Sequence, residues 1–175
     1  MTDSFDLINF EMSLGMSLQE IGLNPNLYIQ RMRMLQPELV LAYLSTRYCF
    51  NVDGEAIVLQ IDIHSNELEE YLSSQGYKSW AFVSAYNPYS EELSDQENIK
   101  RHNLLKKILE ELGHSFIEGE GVSDDERWHE PSFFIPEASI QLGESFGILF
   151  KQNAILYGEL GSEPLILFCS NTRET

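Results

Sequence analysis

The run SWAFVSAY, residues 79–86, is apolar at nearly every position and then stops in Asn87, Pro88, Tyr89 and Ser90. Side chains of a strand alternate between two faces, so a strand can be apolar throughout only where both faces are covered. The run is therefore expected at the centre of a sheet. Its polar stop marks a place where hydrogen-bonding groups gather at the end of a core strand.

The surrounding pattern supplies the rest of that sheet. From Leu39 onward, LAYLSTRYCF and EAIVLQIDI are β-rich runs, and the Asp53-Gly54 pair between them predicts a hairpin. Asn66 to Ser74 fits a short helix stopping at Gly76, where a glycine readily takes the left-handed conformation. Ser94-Asp95-Gln96-Glu97 spells a capping box, and Leu105, Ile108, Leu109 and Leu112 form the apolar stripe of a helix ending at Gly113. Continued backward at helical spacing, that stripe lands on Arg101, His102 and Asn98, so the inward face turns polar in its first turns. HSFIEGEG reads as a strand leaving through a turn at Gly119-Glu120-Gly121 into the acidic loop VSDDERWHE. PSFFIP is a further strand, residues 138 to about 151 fit a helix on Leu142, Phe146 and Phe150, and AILYGEL with EPLILFC predict a hairpin across Gly161-Ser162. The order ββαβαββαββ predicts an α+β fold, with a mixed or largely antiparallel sheet and helices packed on it. Residues 37–175 are assigned to this single domain. Residues 1–36, with short helical patterns broken by Gly15, Gly22 and Pro25, are read as a helical N-terminal appendage packing on it.

Charge narrows the function classes. The chain of 175 residues carries 28 Asp and Glu against 11 Lys and Arg, a formal net charge of -17. Nucleic-acid binding runs on Lys and Arg neutralising phosphates, so direct binding of DNA or RNA is disfavoured. The stretch from Pro88 to Glu130 is the most acidic, with 12 acidic residues against five basic, and reads as a solvated face and loop. Cys49 and Cys169 each sit in an apolar run and are read as core thiols rather than a disulfide framework. The opening MTDSFDLINF lacks a basic region followed by an apolar one, and no apolar run approaches the roughly 18 residues that span a bilayer. A cytoplasmic location without membrane attachment is expected.

Three phrases, AFVSAYNPYSEELSDQEN, Trp128 with Glu130-Pro131-Ser132-Phe133, and Gln152-Asn153-Ala154-Ile155, resemble a bacterial family known as domain of unknown function 3293. The resemblance covers Leu41 to Leu160 and leaves the first 36 residues outside. One departure is Lys151, which stands where the family pattern frequently has a glycine, so the helix exit there is expected to differ. The resemblance implies a domain and a choice of residues, and transfers no chemistry.

Several motifs yield to plainer readings. Gly143-Glu144-Ser145-Phe146-Gly147 has the G-x-S-x-G string of a nucleophile elbow, but it falls inside a predicted helix and no His follows Ser145. Asp124, Asp125, Glu126, His129 and Glu130 lack the spacing of known metal motifs and are read as a solvated loop, so no metal and no cofactor are assigned. Gly119-Glu120-Gly121 lacks the lysine and helix start of a phosphate loop.

What remains is the junction after residue 86. Sheets of open type bind ligands beyond the carboxyl ends of their strands, and the helix start beyond adds unpaired N–H groups suited to an anion. Asn87, Ser90, Asn98, Arg101, Ser132, Gln152, Asn153 and Tyr157 are the candidate ligand-binding residues. His102 and Glu130 are candidates for a general acid or base. The leading expectation is a binding or regulatory module for a protein partner or a small anionic ligand. An enzyme acting on a small phosphorylated or carboxylated metabolite, and an acidic decoy of a nucleic-acid-binding protein, are the alternatives.

Overall fold

The computed structural model describes residues 37–169, so the expected N-terminal appendage lies outside the described residues. The first element corrects the sequence reading: α1 (Pro37–Ser45) is a helix where LAYL had been expected to begin a strand. Pro37 and Glu38 are both favourable in a first helical turn, the one through its fixed φ and the other through the helix dipole. Thr46 ends it, donating both its N–H (3.1 Å) and its hydroxyl (2.6 Å) to the Ala42 carbonyl.

The hairpin follows as predicted. β1 (Arg47–Val52) and β2 (Glu55–Leu59) pair antiparallel with Val52 opposite Glu55. Asp53 and Gly54 both take positive φ, 51° and 87°, which matches the right-handed twist of the flanking strands. α2 (Asn66–Gln75) is capped by the Ser65 side chain at Leu68 N–H and closed by Gly76 at φ 74°. β3 (Ser79–Ser84) leads through a 3-10 turn (Pro88–Ser90) into α3 (Asp95–Glu111), where Ser94 and Glu97 make the reciprocal capping box. β4 (Ile117–Val122), β5 (His129–Pro136), α4 (Ile140–Leu149), β6 (Ala154–Glu159) and β7 (Leu165–Phe168) complete the described chain.

The seven strands form one sheet in the order β2-β1-β4-β5-β3-β6-β7, and every pairing is antiparallel. The fold is α+β, with the sheet at the antiparallel end of the expected range. β3 lies between β5 and β6, next to the median strand, with every residue from Trp80 to Ser84 buried.

The Gly119-Glu120-Gly121 turn is a second correction, because all three residues lie within β4. Gly119 serves close packing: a Cβ there would come within 2.4 Å of the Cys49 carbonyl oxygen and 3.1 Å of the Phe82 ring. Cys49 is half-buried and Cys169 buried, and both are free thiols.

Register and ring contacts identify the two faces of the sheet. On one, Phe133 of β5 stacks on His102 of α3 with ring centroids 4.4 Å apart, and Gly143 of α4 lies over Ala81 and Ile155. On the other, Phe134 meets Phe50, Trp80 and Tyr71 of α2 at 4.1, 5.5 and 6.2 Å. Thus α3 and α4 cover one face, α2 the other, and the aromatic core is divided by the sheet.

Candidate functional site

The end of β3 gathers much of what the sequence pointed to. Asn98, buried in the first turn of α3, accepts from Asn87 N–H (2.9 Å) and donates to the Asn87 side-chain oxygen (2.8 Å). That same oxygen accepts from Leu93 N–H at 3.1 Å, which ties the approach to the helix onto the strand exit. Arg101 donates through Nε to Ala85 O (2.6 Å) and through Nη2 to Phe150 O, with its guanidinium 5.7 Å from the Phe150 ring centroid. Gln152, buried, donates to Tyr86 O at 2.9 Å and Phe150 O at 3.2 Å. Asn153 Nδ2 reaches the Ser90 hydroxyl at 3.1 Å. Six of the predicted residues, Asn87, Ser90, Asn98, Arg101, Gln152 and Asn153, therefore join one network between the β3 exit and the α4–β6 junction.

The backbone of this segment is unusual. Asn87, Tyr89 and Ser90 all have positive φ, 44°, 54° and 60°, and Lys151 across from them has φ 56°. Tyr89 N–H donates to Lys151 O at 2.6 Å, so the two left-handed turns hold each other. Lys151 thus occupies a position whose backbone favours glycine.

Ser132, Glu130 and Tyr157 stand apart from that network. Phe133 faces α3, so alternation turns Glu130 and Ser132 of β5 toward the opposite face, with Phe134. His102 and Glu130, each a candidate general acid or base in the sequence reading, consequently lie on opposite faces of the sheet. Ser132 donates to Glu130 O at 3.0 Å. Tyr157 donates to Glu159 Oε1 at 2.9 Å, farther along β6.

His102 is wedged between Phe133 and the edge of Tyr86, and its Nδ1 has no hydrogen-bond partner. Burial holds its pKa below the ordinary value; Glu118 pulls it up and Lys106 adds to the lowering. Arg101 is likewise lowered by burial.

A second cluster, which the sequence reading did not assemble, surrounds Glu130. Burial pushes its carboxyl up to about 8, and hydrogen bonding to Ser84 works in the opposite direction. Ser84, on the same face, donates to Pro131 O (3.0 Å) and accepts from Tyr86 N–H (3.0 Å). Tyr43 of α1 and Tyr48 of β1 join here, with Tyr48 donating to the Tyr43 carbonyl at 3.2 Å. Their hydroxyls are raised first by burial; the Glu130 charge also raises both, while Ser90 lowers Tyr43. Tyr86 is raised by burial, then Asp95 and Glu130. Among the described residues, no ion pair engages Glu130. The signal for this cluster was parity along EPSFF: Glu130 and Phe133 are three residues apart and cannot share a face.

The other motifs take structural places. Ser145 lies inside α4 and donates to Gln141 O at 2.7 Å. In the acidic loop, Glu126 pairs with Arg47 at 3.0 Å and His129 meets Glu120 at 3.1 Å. No group of three or more His, Cys, Asp or Glu positioned to hold a metal ion occurs among the described residues. None of their helices is long and apolar enough to cross a membrane.

No curated protein and no solved structure matches the chain. Residues 83–155, from the inner end of β3 across the arginine-centred network and the Glu130 strand to the start of β6, match the family described as "Protein of unknown function (DUF3293)".

Proposed function

We propose that this chain is a cytoplasmic binding module that serves regulation, with a protein as its partner, and that the family's domain extends over Leu41–Leu160. What supports the reading is the division of polar groups between the two clusters. At the β3 exit, Arg101, Asn98 and Gln152 are bonded to main-chain carbonyls and to Asn87. Such groups position loops. The neighbouring strand carries a half-buried acid, Glu130, which no cation among the described residues balances. A recognition role uses such a group, and the net charge of -17 favours a partner bearing basic residues.

A second reading has one feature behind it: a carboxyl that burial pushes up to about 8 is suited to general acid–base catalysis near neutral pH. Native mass spectrometry of the protein isolated from its own cells separates the two. A co-purifying protein subunit is the expected result. A monomer carrying only a small metabolite would overturn the binding reading and favour the enzyme.

A further inference from the structure

We propose that the cluster centred on Glu130 receives an organic cation, the alkylammonium or guanidinium head that a lysine or arginine side chain carries. The inference rests on the binding-module reading and names the chemistry that its site would recognise. Glu130 leaves β5 on the sheet face shared with Ser84 and Tyr48, and α1 places Tyr43 beside Tyr48, whose hydroxyl donates to its carbonyl. Its charge is felt by three tyrosines, Tyr43, Tyr48 and Tyr86. Glu130, Tyr43 and Tyr86 are half-buried and Ser90 is exposed beside them, so the group has an approach from solvent.

A carboxylate held away from water without a cationic partner is unfavourable beyond what the Ser84 hydrogen bond offsets, and a proton or a cation relieves it. Calcium and magnesium ask for several oxygen ligands with more than one carboxylate among them, which this cluster does not provide. Organic cations fit better. A guanidinium is weakly hydrated and stacks on aromatic rings, while an ammonium is drawn to the face of a tyrosine. The Tyr43 hydroxyl adds an acceptor for its N–H groups.

The test is a carbon-13 titration of the glutamate carboxyls in the intact protein, with methylguanidinium, n-butylammonium or sodium chloride at equal ionic strength. At about 100 mM, enough to saturate a millimolar site, either organic cation should lower the Glu130 midpoint by about one pH unit or more. Sodium should leave it in place. A short arginine-containing peptide, run beside the free cations, distinguishes a side chain from a free amine as the natural source. Glu130→Gln should abolish the cation-dependent shifts of the Tyr43 and Tyr86 rings. If that variant fails to fold, the wild-type titration decides without it. A midpoint unmoved by both organic cations, or moved equally by sodium, would overturn the proposal. A partner that still co-purifies in that case leaves the binding module standing and removes only this site.

Discussion

Replacing Glu130 with glutamine keeps the shape of the side chain and removes its proton equilibrium. In the native protein burial raises the carboxyl from an ordinary 4.5 to about 8. Between those values the folded state holds a proton that the unfolded chain has released, so stability falls as pH rises across the window and levels off above 8. A rise of more than three pH units, at about 1.4 kcal/mol each, sets an upper bound of about 4–5 kcal/mol. Water reaching a half-buried group reduces this, and roughly 2–3 kcal/mol is expected. Urea unfolding followed by tryptophan fluorescence, on wild type and Glu130→Gln from about pH 5 to 9, measures the difference. The variant should gain on the wild type steadily through that interval, by roughly 2–3 kcal/mol in unfolding free energy, read as a rising urea midpoint. Two stability curves that stay parallel from end to end would refute the claim that the carboxyl is desolvated and unpaired.

Three further substitutions probe the other cluster and its supports. Arg101→Met should cost about 2–4 kcal/mol, read as a lower urea midpoint, since the Ala85 and Phe150 carbonyls lose charged donors. His102→Phe should keep the ring packing and remove the orphaned nitrogen, raising stability by about 1 kcal/mol at neutral pH. Because burial lowers the His102 pKa, the wild type loses stability as pH falls below 6.5; the variant's thermal scans should lack that component. Lys151→Gly should stabilise by about 1 kcal/mol by relieving the left-handed strain, and an unchanged melting temperature would argue that the turn is not strained.

Much of the fold was legible because its punctuation is local. Asp53-Gly54, Gly76, the Ser94–Glu97 box and Gly113 each act within a few residues of themselves, and each does what its chemistry predicted. LAYL misled because its apolar content satisfies a strand as well as a helix, and the deciding signals, Pro37 and Glu38, lie before it. Gly119 and Gly121 misled for another reason. Both lie inside β4, and Gly119 makes room for the Cys49 carbonyl and the Phe82 ring, partners far away in sequence.

The candidate site divides along the same line. Asn87, Asn98 and Arg101 could be grouped because one helix face and one strand exit carry them. Glu130 was singled out together with Ser132, which shares its face of β5, but its other neighbours depend on which way β5 points within the sheet. Tyr43, Tyr48, Tyr86 and Ser84 carried no local mark at all and were found only through tertiary packing.

Arg101 clasps the carbonyls of Ala85 and Phe150, while Gln152 reaches Tyr86 and Asn153 reaches Ser90. Two stretches of chain more than sixty positions apart are thereby laced together at one corner of the molecule. Neither can detach alone without stranding the polar groups of the other. In deuterium exchange, the bonded amides of Tyr86, Tyr89 and Gln152 should therefore open in a single concerted excursion.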